Sequence, residues 1–133
     1  MTWAGARGPT ADEVARVFHF GDPEAVHAAA SGLLTRWNDP DREDYELRVV
    51  NRLFGDRGAT FEPAFLALTR RRYGAPLEPL DFSGNPEPSR LHINGWVAGQ
   101  TANRIRDLLP PGSIDPSTRL VLTNAVYFLG RWL

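Results

Sequence analysis

The side chains best suited to acid–base work or metal binding near neutral pH are three histidines, His19, His27 and His92, in a sequence of 133 residues. They fall on separate expected helices, without an H-E-x-x-H spacing and without a matched carboxylate partner. Structural or surface roles are therefore expected for all three, and neither a metal site nor a cofactor is expected. The sequence has no G-x-S-x-G, no P-loop and no G-x-G-x-x-G, so the nucleophile elbow and the phosphate cradle lack their minimum residues. An enzyme is not expected. The acidic pairs Asp22/Glu24 and Asp39/Asp41 stand beside cap and turn residues, where carboxylates satisfy backbone amides. Arg70, Arg71 and Arg72 form a small cationic run, read as complementing the dipole at a helix end rather than as an anion patch. Trp37, Trp96 and the Phe and Tyr residues recur at helical or strand spacing and are read as core. One polar anomaly remains: Asn124, inside the apolar run "LVLTNAVYF". An unpaired buried amide costs about 1–3 kcal/mol, so a hydrogen-bond partner is required. That bond is either local and structural or part of a switch.

These residues need elements to hold them. "TADE" has the form of a capping box, Thr10 with Glu13, ahead of a helical face at Val14, Val17 and Phe18. Asp22 and Pro23 open a second helix with the stripe Val26, Ala30, Leu33 and Trp37. Residues 45–54 alternate as a strand with one buried side. "TFEPAFLALTRRRYG" reads as a helix stopped by Gly74, and "APLEPLDF" as a short, Pro-rich edge strand. From Ser89 the stripe Ile93, Trp96, Val97, Ile105, Leu108 and Leu109 predicts the longest helix, about five turns, stopped by "PPG". The run Leu120–Phe128 predicts a strand covered on both faces. The irregular alternation of helices and strands, without a repeat, indicates an α+β fold.

Composition bounds the function. The length suits one domain or part of one, and hydrophobic and charged shares of 42% and 23% are those of an ordinary globular protein. A net charge of −1 provides no broad basic field, so no nucleic-acid partner is expected, and no membrane partner either. Cysteine is absent, which excludes a disulfide framework and thiolate metal sites. All fifteen basic residues are Arg, a bias that points to a GC-rich, bacterial genome. "MTWAGARGPT" has neither a charged n-region nor an apolar h-region, so no signal peptide is expected within the chain.

The same residues carry a resemblance. "TNAVYFLGRW" resembles the serpin family's Asn-Ala-x-Tyr-Phe-x-Gly-x-Trp segment, which in that family forms the third strand of the central sheet A. "GARGPTADEVARVFHF" resembles the end of its second helix through its third. "VVNRLFGDRG" resembles the second sheet-A strand, and "FLALTRRRYGAPLEPLDF" the next helix and edge strand. "INGWVAGQTANRIRDLLPPGSIDPSTRLVLTNAVYF" is similar to the family's helix F and the crossing into strand three. The departures are Gly95, a weak helix former that softens the long helix by about 1 kcal/mol relative to Ala, and Leu129, where the family commonly has Lys.

The resemblance implies a partial serpin fold across 1–133, with helices packed on strands of sheet A. Asn124 matches the family's shutter Asn and Trp132 its breach Trp, two points of a conformational switch. Asn94, Trp96, Val97, Thr101, Ala125, Tyr127, Phe128 and Gly130 are the structural motif residues. The implied parent function is inhibition of a serine or cysteine protease by insertion of a cleaved reactive loop, driven by stored strain. That loop and several of the family's strands have no counterpart here. The chain is thus expected to be a fragment that does not inhibit alone, that self-associates through an exposed strand edge, and whose parent is extracellular. The alternative is a non-inhibitory serpin-like binding or structural protein, or a truncated pseudogene product.

Overall fold

The computed structural model describes residues 1–130. In chain order the elements are α1 (Thr2–Gly5), α2 (Gly8–Phe18), α3 (Pro23–Trp37), β1 (Tyr45–Asp56), α4 (Pro63–Tyr73), β2 (Leu77–Leu80), α5 (Pro86–Gln100) and β3 (Leu120–Gly130). The strands form one sheet in the order β2-β1-β3. β2 runs parallel to β1 and β3 antiparallel to it, with Phe54 opposite Val121 and Asn51 opposite Asn124. The architecture is the α+β arrangement expected from the sequence.

Local chemistry explains most of the boundaries. The Asp22 carboxylate accepts from the Ala25 amide at 2.8 Å and starts α3, with Pro23 at its first position. α4 ends on Gly74, whose φ of 58° is the left-handed turn that glycine takes without a Cβ clash. The Pro-rich β2 covers only the last four residues of β1, as suits a short edge strand.

Three expectations are corrected. No capping box opens α2: the helix begins at Gly8 from an extended Arg7, without a side-chain cap bond. Pro9 is pre-set for the first turn, so Thr10 and Glu13 lie inside the helix rather than at its cap. The long helix stops at Gln100, leaving α5 at 15 residues, the same length as α3. Ala102 and Asn103 turn left-handed there, with φ of 48° and 61°. The Thr101 hydroxyl donates to the Val97 carbonyl and accepts from the Ile105 amide. Ile105, Leu108 and Leu109 therefore belong to an irregular crossing, not to the helix. Finally, β3 is not covered on both faces. Thr123 and Ala125 lie on its covered face at 2% and 4% exposure, whereas Val126 and Phe128 on the other face are 52% and 60% exposed.

The core sits between α5 and the sheet. Phe54, Phe82, Ile93 and Ile114 form it, with Leu80, Trp96, Leu109 and Val121 packed around them. Asp56 fastens the strand ends to it. One of its carboxylate oxygens accepts the amides of Phe82 and Ser83, the other accepts that of Gly58, and its own amide donates to the Arg119 carbonyl.

Candidate functional site

β1 and β3 share a second face, opposite α5. Leu47, Val49, Asn51 and Leu53 of β1 stand across from Phe128, Val126, Asn124 and Leu122 of β3. Each strand thus places one asparagine in an otherwise apolar row, and the register sets the two directly opposite each other. Asn124 Nδ2 donates to Asn51 Oδ1 at 2.9 Å and to the Val50 carbonyl at 3.4 Å. Asn51 Nδ2 in turn donates to the Tyr73 carbonyl at 3.1 Å. That carbonyl is one of those a helix end leaves without an intrahelical donor. The asparagine bridge therefore joins β3 to β1, and β1 to the end of α4.

Asn124 has the partner its chemistry demanded, but it is exposed rather than buried, because it lies on the open face of β3. Its neighbours on that face, with Leu33, Leu34 and Trp37 of α3, line a largely apolar groove. The bridge adds side-chain bonds to the strand ladder at a place where apolar packing is incomplete, and a net hydrogen bond contributes about 0.5–1.5 kcal/mol. Such a link fixes register while remaining separable.

The other sequence-derived residues divide between the two faces. Asn94, Trp96 and Val97 lie on α5 and Thr101 caps its end, while Ala125 and Tyr127 stand opposite Val50 and Arg48 in the sheet. Asn94 grips the crossing segment: its Nδ2 donates to the Leu109 carbonyl and its Oδ1 accepts the Leu109 amide, both at 2.9 Å. Trp96 lies edge-on to Phe54 at 5.8 Å, and Arg48 stands over the Tyr127 ring at 5.3 Å. Phe128 is on the open face against Tyr45, and Gly130 ends β3. Trp132 lies outside the described residues. These residues do not converge on one site.

Two clusters went unread in the sequence. Asn51, Tyr73 and His27 belong with Asn124, since the Tyr73 hydroxyl meets His27 Nδ1 at 2.6 Å. The usable signal was Asn51 itself, the polar member of an apolar alternation in β1, like Asn124 in β3. His92 does have a carboxylate partner, contrary to expectation: its Nε2 lies 2.6 Å from Glu78 Oε1, while Arg52 takes Glu78 Oε2 through two nitrogens. Burial raises the Glu78 pKa, and the bonds and charges of Arg52 and His92 outweigh that, leaving it below the ordinary value. The three residues sit on β1, β2 and α5, so no local spacing announces them. Among the described residues no group of three or more His, Cys, Asp or Glu side chains converges to hold a metal ion. No helix among them is long and apolar enough to cross a membrane.

The described residues thus form a sheet crossed by α5 on one face, with an asparagine bridge on the other and an outer edge of β3 left unpaired among them. The serpin family model, described as serine protease inhibitor, matches residues 1–133. The chain belongs to the serpin family. It is 45% identical to Serpin B6 of Macaca fascicularis and 42% identical to the leukocyte elastase inhibitor of Homo sapiens, covering 99% of this chain in each case. Among solved structures it is similar to emu ovalbumin, with a TM-score of 0.91 at 31% identity over 98% of this chain. It is also similar to a serpin of Arabidopsis in its native stressed conformation, with a TM-score of 0.86 at 28% identity over 98% of this chain. The chain spans about a third of the relatives' length, 36% of the macaque and 35% of the human protein, and 37% and 34% of the two solved chains. These relatives come from animals and a plant, and lend no support to the bacterial source read from the Arg bias.

Proposed function

We propose that residues 1–133 are one part of a serpin domain, and that the whole protein inhibits a serine or cysteine protease by taking its own cleaved reactive loop into the sheet beside β3. In this reading the Asn51–Asn124 bridge is the closure that holds β3 against β1 until insertion, and Trp132 marks where insertion begins. The observation that carries the reading is the state of β3. It is paired with β1 along its whole length, it has no strand on its outer edge among the described residues, and it is pinned at its midpoint by an amide pair in an apolar row. A strand so placed can accept a new neighbour by main-chain pairing, and the amide pair can yield without a core being lost. The protein acts on proteases by trapping them, not as a catalyst, and its place of action is proposed to be extracellular on family grounds alone.

The 133-residue chain alone is expected not to inhibit. The test is a denaturing gel of serine and cysteine proteases mixed either with this chain or with the intact parent protein. The chain is degraded without a higher band, and the parent gives a covalent, denaturant-resistant complex with at least one protease. A parent that is merely cleaved by every protease, leaving no complex, overturns the inhibitor reading. The outer edge of β3, unpaired among the described residues, also predicts self-association of the chain. A concentration-independent monomer on size-exclusion chromatography would count against that.

A further inference from the structure

We infer that His27 and Tyr73 are positioning residues for the Asn51–Asn124 bridge, and that acidification loosens the bridge through them. The inference rests on the reading of that bridge as the closure of the sheet. Tyr73 is held from two sides. Its phenol meets His27 Nδ1 on α3 at 2.6 Å, and its main-chain carbonyl takes the Asn51 side-chain amide at 3.1 Å. The next bond, Asn124 Nδ2 to Asn51 Oδ1 at 2.9 Å, completes a continuous hydrogen-bonded path from a helix to the seam of the sheet. Gly74 makes the path possible: its left-handed turn ends α4 on Tyr73, leaving that carbonyl to an outside donor.

The two titratable groups on the path are matched in protonation. Burial holds the Tyr73 phenol above its ordinary pKa, so it keeps its proton to donate. Burial holds His27 below its ordinary pKa, so at neutral pH its imidazole is uncharged and Nδ1 can accept. His27 is 6% exposed and packs against the Trp3 ring of α1 at 5.5 Å and the Tyr73 ring of α4 at 5.7 Å. The charged side chains around it are Arg7 across a shared cavity with Asp22, Glu24 one turn earlier on α3, and Arg72 of α4, which pairs with Glu24. On protonation Nδ1 becomes a donor, so the phenol must turn its own proton away and accept instead, and a charge is placed on a ring that is 6% exposed and whose hydrogen-bond partner is a neutral phenol. Protonation therefore reverses the matched pair and buries a cation, which favours the state in which α3 and α4 separate and admit water at this point.

The linkage sign follows from the depressed pKa. The unfolded chain takes up the His27 proton first. The contribution of neutral His27 is complete above the ordinary value of 6.5 and is lost as the pH falls through the lower folded value. The test follows the side-chain amide protons of Asn51 and Asn124 by NMR, as protection relative to the free-amide exchange rate at each pH. In the intact parent protein both amides are expected to be protected at pH about 7.5 and to lose that protection progressively as the pH falls below 6.5. His27→Gln is expected to flatten this pH profile. Tyr73→Phe, which keeps the carbonyl but removes the phenol, is expected to lower protection at every pH and to flatten the profile as well. An unchanged wild-type profile in both variants overturns the inference while leaving the closure reading intact. If both amides of the intact wild-type protein are unprotected at the higher pH, the closure reading fails and the inference with it. Should His27→Gln not fold, Tyr73→Phe decides alone.

Discussion

The two faces of the sheet were made by the same strands and differ in nearly every physical respect. Beneath α5, Phe54, Ile93 and Val97 are fully buried, and Asp56 is surrounded by amides that satisfy it. One residue away along β1 and β3, the opposite face carries exposed Val126 and Phe128 and an amide bridge. Period-two alternation makes this possible, since successive side chains leave a strand on opposite sides. The closed face packs against α5, whereas the open face is buried only at its Leu53 end and, where Val126 and Phe128 lack a full set of apolar partners, adds an amide bridge to the strand ladder. Stability is concentrated on one face, and the capacity for rearrangement on the other.

Two phenylalanines offer the strongest test of that division. Phe54→Ala removes a fully buried ring between α5 and the sheet and should cost about 3–5 kcal/mol. Phe128→Ala, at a site 60% exposed, should cost well under half of that. Urea unfolding of the two variants measures the difference directly. Equal losses would mean that the open face is as closed as the other in solution.

Acid offers the next largest contrast. Burial pushes the Asp56 carboxyl pKa up, and the bonds from Ser83, Gly58 and Phe82 more than offset this, so the folded value lies below the ordinary 3.8. The unfolded chain then binds this proton first, and stability falls as the pH drops below 3.8 through the folded value. Asp56→Asn should be less stable at neutral pH and should lack this portion of the acid loss. An acid denaturation curve left unchanged by Asp56→Asn would show that the carboxylate does not anchor the closed face.

How much of this was legible in the sequence depended on whether the signal was local. α3, α4, β1 and β2 announce themselves through caps, glycine stops and alternation, all of which act over a few residues. The end of α5 was missed because Ile105, Leu108 and Leu109 keep helical spacing after the helix has stopped. Only Leu109 reaches the core, held against α5 by Asn94, while Ile105 and Leu108 are 36% and 41% exposed. The exposure of β3 was missed because a continuous apolar run carries no information about which layers surround it. Asn124 was singled out correctly as a polar group in need of a partner. Its partner, Asn51, depends on the β1–β3 register, a contact across more than seventy residues that no spacing rule encodes.

A smaller effect concerns the helix that closes the core. A Cβ added at Gly95 meets nothing within 4 Å, so the position has room for a side chain. Gly95→Ala should stabilise the chain by about 0.5–1 kcal/mol by reducing the freedom of the unfolded backbone. The thermal midpoint should rise accordingly. A fall would mean that α5 needs flexibility at Gly95 to seat on the sheet.

The smallest expected change in stability separates folding from association. Val126 is 52% exposed and lies next to Ala125, which is 4% exposed, so the two test opposite faces of β3 at one point along it. Val126→Ser removes apolar surface that is already largely in water, and should alter the unfolding free energy by about 0.5 kcal/mol or less. It should nonetheless shift size-exclusion profiles toward monomer, because the surface it changes borders the unpaired strand edge through which copies would pair. If Val126→Ser unfolds the chain, the open face is an essential core. If it leaves both stability and association unchanged, the strand edge alone drives contact between copies, and the apolar row beside it serves only to hold the asparagine bridge in place.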